Sequence, residues 1–335
     1  TVLAPWAGAA VLRLKAPGVN ATASDPLGTA GQESALALST DGNARWCAVD
    51  PRVGTAWLVA ESALNVACAG AVPVALVNCL NFGNPEHPEV MWQLSETVDG
   101  IGEACRALGL PVVGGNVSLY NESNGSDIDP TPVIGVLGLI ERLLRRPPGV
   151  DLTDDAALVL LDASVGATTG QLGPPPLAGS RWAVERRGHR NGALPALDLP
   201  GHARLVDLVR GLVAEGVAGG DPLLGGIHDI SGGGLGVALA ELAVRAGIGL
   251  QVAGVADHHE LFTEAPSRVV VCTTRCREVV SRAADAGVGF RVLGQAGGDR
   301  IVVEGLVDLS VSEATRAWRD RLPDLLDELA PAVMD

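Results

Sequence analysis

Aromatic side chains make up only 3% of the 335 residues, and lysine occurs once, as Lys15; every other basic side chain is arginine. No run of about 18 apolar residues is present, which excludes a transmembrane helix of ordinary length. There is no initial Met and no signal-peptide layout. The chain opens in mid-pattern at Thr1 and reads as a piece of a longer protein. The six cysteines, Cys47, Cys68, Cys79, Cys105, Cys272 and Cys276, contain no C-x-x-C and mostly sit in apolar stretches. They read as buried free thiols of a cytoplasmic protein rather than a zinc site. Basic clusters of the kind that bind nucleic acid are missing, and the net charge is −15.

What is present is a large core and many turns. Hydrophobic residues, mostly Ala, Val and Leu, reach 47%, which excludes a disordered chain. The 43 glycines and 21 prolines imply tight turns or ligand loops. At ~100–200 residues per domain, two domains are expected. Strands are read at 8–16, 35–40, 72–77, 111–113, 133–140, 157–163, 268–274, 289–293 and 300–304. Helices are read at 55–69, 203–214, 275–286 and after Gly232. The clearest helix carries Val90, Leu94, Val98, Ile101, Cys105 and Leu108 on one face and stops at Gly109. Ser310 and Glu313 fit a capping box for a last helix. Residues 144–155, within RLLRRPPGVDLTDD, lack an apolar period and read as a linker between domains at 1–143 and 156–335. Strands alternate with helices in both halves, so the class is α/β or α+β.

Four constellations could carry chemistry. In VVGGNVSLYNES (112–123), two glycines after a strand let a ligand approach the backbone. Asn116 there offers a hard oxygen for Mg²⁺, and Ser118 offers a hydroxyl; a plain hairpin or bulge explains the same residues. In VNCLNFGNPEHPE (77–89), Asn78, Asn81 and Asn84 suit a binding loop or satisfy loop backbone. Glu61 and Asn65 share one face of an apolar helix, where they could ligate a cation or cap a neighbouring loop. HDISGGGLG (228–236) opens a helix on glycines, a ready anion site or a close-packing device. No Walker A loop, dinucleotide fingerprint, H-E-x-x-H or G-x-S-x-G is present.

The stretches STDGNARWCAVDP, AESALNVACAGAVPVALVNCLNFGNPEHPEVMWQ, ACRALGLPVVGGNVSLYNES and PTPVIGVLGLI resemble the third domain of the PurL family. PurL is the synthetase subunit of phosphoribosylformylglycinamidine synthase. HDISGGGLGVALAELA and LFTEAPSRVVV resemble its fourth domain. The resemblance covers nearly the whole chain. It implies a PurM-like N-terminal α/β domain, whose sheet joins a counterpart into a barrel, then a PurM-like C-terminal α+β domain. The family's catalytic histidines lie in an E-T-H-N-H-P-type segment that this chain lacks, so no catalytic residue is expected here.

By the same resemblance, the cofactors are ATP and Mg²⁺. Asn78 and Gly115 would contact ATP, Asn116 would ligate magnesium and Ser118 would contact substrate. Asp41, Gly42 and Asn43 lie in a loop facing the joint site. The implied reaction is that of an ATP-dependent C–N ligase in purine biosynthesis. The formamide oxygen of formylglycinamide ribonucleotide is activated as an iminophosphate, and ammonia drawn from glutamine displaces phosphate to give the amidine. The implied partners are the N-terminal half of the same protein, the glutaminase PurQ and the small subunit PurS, with no nucleic acid and no membrane. Large relatives hold an auxiliary nucleotide in this half, with magnesium on acids and amides. Glu61 and Asn65 match two of those ligands, whereas Gly8 and Gly232 stand where acids would, so a retained auxiliary metal is not expected. The alternative is a non-catalytic nucleotide-binding or assembly module of the same superfamily.

Overall fold

The computed structural model describes Val2 and residues 7–14, 33–164 and 177–329. The first part is a five-stranded sheet covered on one face by helices. Its strands are β1 (Ala10–Arg13), β2 (Ala35–Gly42), β3 (Val72–Asn81), β4 (Val112–Ser118) and β7 (Thr131–Ile140). Their order is β1-β2-β7-β3-β4, antiparallel except for the parallel β3–β4 pair at one edge. The short strands β5 (Glu122–Ser123) and β6 (Ser126–Asp127) form a separate hairpin.

Strand alternation sends Ala35, Ala37 and Ser39 of β2, Leu76 and Leu80 of β3, and Ile134 and Val136 of β7 under the helices, where all are buried. The opposite face leaves Leu38 and Val77 exposed. Those helices are α1 (Ala44–Val49), α2 (Pro51–Cys68) and α3 (Pro88–Leu108). Helix α2 starts at Pro51 because Asp50 caps the Arg52 and Val53 amides, at 3.0 and 2.9 Å. It is mostly apolar, with Glu61 and Asn65 as polar exceptions on one face, and 15 of its 18 residues are buried, which is how a helix with neighbours on most sides reads.

The second part is a seven-stranded sheet. Its strands are β8 (Ala157–Asp162), β9 (Gly226–Asp229), β10 (Leu250–Val252), β11 (Arg268–Thr273), β12 (Gly289–Ala296), β13 (Arg300–Val303) and β14 (Val307–Ser310). The order is β14-β13-β10-β12-β8-β11-β9. The helices are α4 (Arg181–Arg187), α5 (Leu199–Val217), α6 (Gly234–Ala246), α7 (His258–Phe262), α8 (Cys276–Asp285) and α9 (Val311–Leu329). The two parts are not separate bodies in their packing. One cluster of buried residues joins Trp57, Leu58 and Leu64 of α2 to Leu205, Val209 and Leu212 of α5 and to Val269 and Val271 of β11. No described helix is long and apolar enough to cross a membrane.

Residues 144–155 form neither helix nor strand, yet their backbone is tied down. The Leu144 and Arg145 amides donate to the Val217 carbonyl, at 2.9 and 3.0 Å, and the Ile227 amide donates to Gly149, at 2.9 Å. Gly225 and Gly226 let this segment run against β9: a Cβ on Gly226 would lie 1.7 Å from the Asp151 carbonyl oxygen. Gly226→Ala is therefore expected to cost about 1–3 kcal/mol through overpacking, read as a lower urea midpoint.

Several elements differ from the sequence reading. β3 runs to Asn81, so Asn78 lies inside a strand rather than in a loop. β4 runs from Val112 to Ser118, so Gly114, Gly115 and Asn116 are strand residues, not a turn. Parallel pairing from Leu76 with Val112 to Asn81 with Ser118 extends both strands beyond their apolar cores. Helices α1 and α7 and strands β10 and β14 are too short for a periodic signal. The loose segment GQLGPPPLAGSR spans 170–181, and its residues 170–176 lie outside the described residues. The capping box holds: the Glu313 amide donates to Ser310 Oγ at 3.1 Å, and the Ser310 amide donates to Glu313 Oε2 at 2.8 Å.

Candidate functional site

The sequence-derived candidates fall into three groups. Asp41, Ile134, Asn78 and Gly115 are register partners across β2, β7, β3 and β4, so they form one row on the helix-covered face. At about 4.8 Å per strand, Asp41 and Asn78 stand roughly 10 Å apart, with buried Ile134 between them. Asn78 lies over Gly115, where a Cβ would come within 2.3 Å of its Oδ1. That position needs glycine because of this close approach, not because of a turn. Asn116 and Ser118 alternate to the other face, opposite Cys79 and Asn81. There the Asn116 amide is exposed and its Nδ2 lies 3.9 Å from Cys79 Sγ.

Ser118 belongs to an interlocked pair of loops. Ser118 Oγ donates to Asn121 Oδ1 at 3.3 Å, and Asn121 Nδ2 donates to the Phe82 carbonyl at 3.0 Å. The Tyr120 amide donates to Gly83 at 2.8 Å, with Tyr120 held at φ 60°. Asp127 closes the lock. It accepts from the Asn84 amide at 2.7 Å and from His87 Nδ1 at 2.6 Å, and its carboxylate fills the space a Cβ on Gly83 would need. The Asn84 and His87 bonds hold the Asp127 carboxyl below its ordinary range. Asp127→Ala is expected to speed hydrogen exchange at the Asn84 amide about fivefold, the loss of one ordinary hydrogen bond. Asp127→Asn, which keeps an acceptor, should leave it near the parent rate.

The third group lines a cavity of about 450 Å³ between the two parts. Asp41, Gly42, Asn43, Glu61, Asn65, Gly8 and Gly232 all border it, together with His228, Asp229, Ser231 and Glu241. Asn65 Nδ2 donates to Asp41 Oδ1 at 3.0 Å, and Ser39 Oγ donates to Asp41 Oδ2 at 2.5 Å. Burial, reinforced by the charge of Asp229, pushes Asp41 up to about 6 against those two bonds. Burial also drives Glu61 well above its ordinary range, with Asp41 and Asp229 adding repulsion. For His228 burial opposes the charge, but bonds to Asp229 (3.2 Å) and Glu241 (2.8 Å) prevail and raise it to about 9. Asn43 has a structural role, accepting from the Arg45 amide at 3.2 Å to cap α1.

The glycine-rich entry to α6 is not an open anion site, because a protein carboxylate occupies it. Glu264 Oε1 accepts from the Gly233 amide at 2.9 Å and from the Arg181 amide at 2.7 Å. Its Oε2 accepts from Trp46 Nε1 at 2.8 Å and Arg45 Nη1 at 3.2 Å. Glu264, Asp127, His87 and Glu241 carry these networks, yet none was a candidate by sequence. The one available signal was an acid set inside the otherwise uncharged FTEAPS.

An α/β sheet with a parallel edge pair, opened by glycine beneath an asparagine, followed by an α+β part whose sheet is antiparallel except for the β10–β13 pair, defines a recognisable class. Residues 9–140 match the family model AIR synthase related protein, N-terminal domain. Phosphoribosylformylglycinamidine synthase subunit PurL of Thermomicrobium roseum is 42% identical over 328 residues. The match covers 95% of this chain and 40% of that protein, so the chain spans about two fifths of the length of the curated relatives it matches. Among solved structures, Thermotoga maritima PurL complexed with ATP or with FGAR superposes with a TM-score of 0.63 in each case. The FGAR complex is 17% identical and covers 84% of this chain and 46% of that one; the likeness is one of fold. The same protein, solved as PurLQS, gives a TM-score of 0.59.

Proposed function

We propose that this chain is the nucleotide- and substrate-binding half of a PurL-type ligase of the cytoplasm, converting formylglycinamide ribonucleotide and ammonia to the amidine at the expense of ATP. The observation that carries the reading is the Asn78–Gly115 pair on β3–β4, backed by Asn116 and Ser118 on the other face of the same two strands. Asn78 would meet the nucleotide, where Gly115 lets it approach the backbone. The interlocked loops would hold Ser118 toward the ribonucleotide. Asn116 suits magnesium as one oxygen ligand on an exposed strand, with the remaining ligands supplied by phosphate, water or another part of the protein. When bound, the cation neutralises polyphosphate charge.

The missing catalytic segment fits a second half docked on the sheet. Val112, Val113 and Val117 of edge strand β4, with Val72, Val74 and Val77 of β3, are exposed, and among the described residues β4 has no strand partner on its outer edge. A PurL N-terminal half would cover them, and PurQ and PurS would deliver ammonia to the assembled pair.

Calorimetric titration with ATP and Mg²⁺ tests the reading. Asn116→Ala is expected to weaken binding about tenfold or more; unchanged binding removes Asn116 from the magnesium role. The 335-residue chain alone, given ATP, ammonia and formylglycinamide ribonucleotide, is expected to make no amidine.

A further inference from the structure

The cavity bordered by Glu61 and Asn65 is where the family resemblance would set an auxiliary cation and nucleotide, and the residues present do not fit them. Mg²⁺ needs hard oxygens converging at about 2.0–2.1 Å. Among the described residues no group of three or more His, Cys, Asp or Glu is arranged to hold a metal ion. Each acid of this wall is turned elsewhere. Asp229 and Glu241 face His228, Asp41 faces Ser39 and Asn65, and Glu61 bonds Ser231. Bare polyphosphate fits no better. The bordering cations are engaged, Arg45 with Glu264 and His228 with its two carboxylates, so among the described residues no free positive charge on this wall meets an anion.

Two glycines show what is missing. Asn65 is 4% exposed, and its Oδ1 is buried without a hydrogen-bond partner. A Cβ on Gly8 would lie 2.1 Å from that oxygen, so the Asn65 amide, drawn onto Asp41, fills the space a side chain at position 8 would need. Gly232 is the opposite case. It borders the same cavity beside Ser231, and a Cβ there meets nothing within 4 Å. Its backbone also lies outside the left-handed region that favours glycine.

We infer that this cavity is a divalent-cation site left one carboxylate short: it binds no cation-bridged nucleotide in this chain, and an acid at position 232 completes it beside Glu61 and the orphaned oxygen of Asn65. Position 232 rather than 8 is the gap, because only there is the space open. The inference does not depend on ATP binding at β3–β4, which Asn116→Ala reports separately.

The test is Mg²⁺ titration of the 335-residue chain, by calorimetry and by thermal unfolding. The proteins compared are the parent, Glu61→Gln, Gly8→Asp, Gly232→Ala, Gly232→Asp and Gly232→Asp combined with Glu61→Gln. The parent and Glu61→Gln are expected to respond alike. Gly232→Asp should gain one Mg²⁺ equivalent and a Tm rise of about 2 °C or more at saturation. That gain should vanish in the double variant and be absent from Gly232→Ala and Gly8→Asp. A parent response abolished by Glu61→Gln would overturn the inference, as would a folded Gly232→Asp that gains nothing. If Gly232→Asp does not fold, the comparison of parent with Glu61→Gln still decides whether the site is functional as it stands.

Discussion

Glu264→Ala is expected to lower stability by about 3–5 kcal/mol, the range for breaking a buried charge network by removing one partner. An exposed ion pair would be worth at most about 1 kcal/mol, but Glu264 is 3% exposed and takes four donors. Those donors come from α1, from the first residue of α4 and from the glycine turn before α6, so one carboxylate joins both parts of the molecule. Alanine would leave the Trp46 indole N–H without its acceptor in the core and strip Arg45 of its counter-ion. Glu264→Gln should lose less, about 1–3 kcal/mol. Its oxygen can still accept from Arg181 and Gly233, while its new N–H₂ would face the Trp46 and Arg45 donors. Urea unfolding of both variants at neutral pH is the measurement. A Glu264→Ala loss below about 1 kcal/mol would mean that the four bonds are not what joins the parts.

The second large effect is acid sensitivity from His202. The ring is fully buried between α5 and α2. Its Nε2 lies 3.0 Å from the Ala60 carbonyl, which can only accept, so Nε2 carries the proton and Nδ1 accepts from Ser267 Oγ at 2.9 Å. Burial lowers its pKa to about 4 from the ordinary 6.5. The unfolded chain therefore binds an extra proton below pH 6.5. The stability His202 confers is complete above that value and is lost progressively as pH falls to 4. At about 1.4 kcal/mol per unit, the loss approaches 3 kcal/mol. Asp41 works the other way: held at about 6 rather than 3.8, it favours the fold at low pH, and that contribution disappears as pH rises from 3.8 to 6. The two nearly cancel in a whole-protein curve. The quantity to measure is therefore the difference between parent and His202→Gln at pH 7 and pH 4.5. The parent's advantage should shrink by about 2–3 kcal/mol across that range; an unchanged difference would mean the native ring protonates normally.

Much of the architecture was legible because it rests on periodicity. The stripe from Val90 to Leu108 marks α3, and Leu235, Leu239 and Leu242 mark α6, with all three leucines buried. Strand ends were harder, since they depend on a partner far away in sequence. Gly114, Gly115 and Asn116 look like a turn until β3 is laid beside them. The cavity was half legible. Glu61 and Asn65 stand out as polar groups on an apolar helix, but nothing local says that Asp41, 24 residues away from Asn65, would accept its amide. The Glu264 clamp was out of reach, because its donors lie some 30 to 220 residues away in the chain.

The burial of α2 on most sides has a consequence for synthesis. Its partner α5 ends at Val217, roughly 150 residues after α2 ends at Cys68. At 5–20 residues per second, a ribosome leaves one apolar face of α2 uncovered for about 7–30 s. The first sheet cannot complete its core during that interval, however early its own strands emerge. A nascent chain in that state is a natural client for chaperones that shield hydrophobic surface. Slower growth at lower temperature, which weakens apolar association, should raise the soluble yield more than any change to the surface.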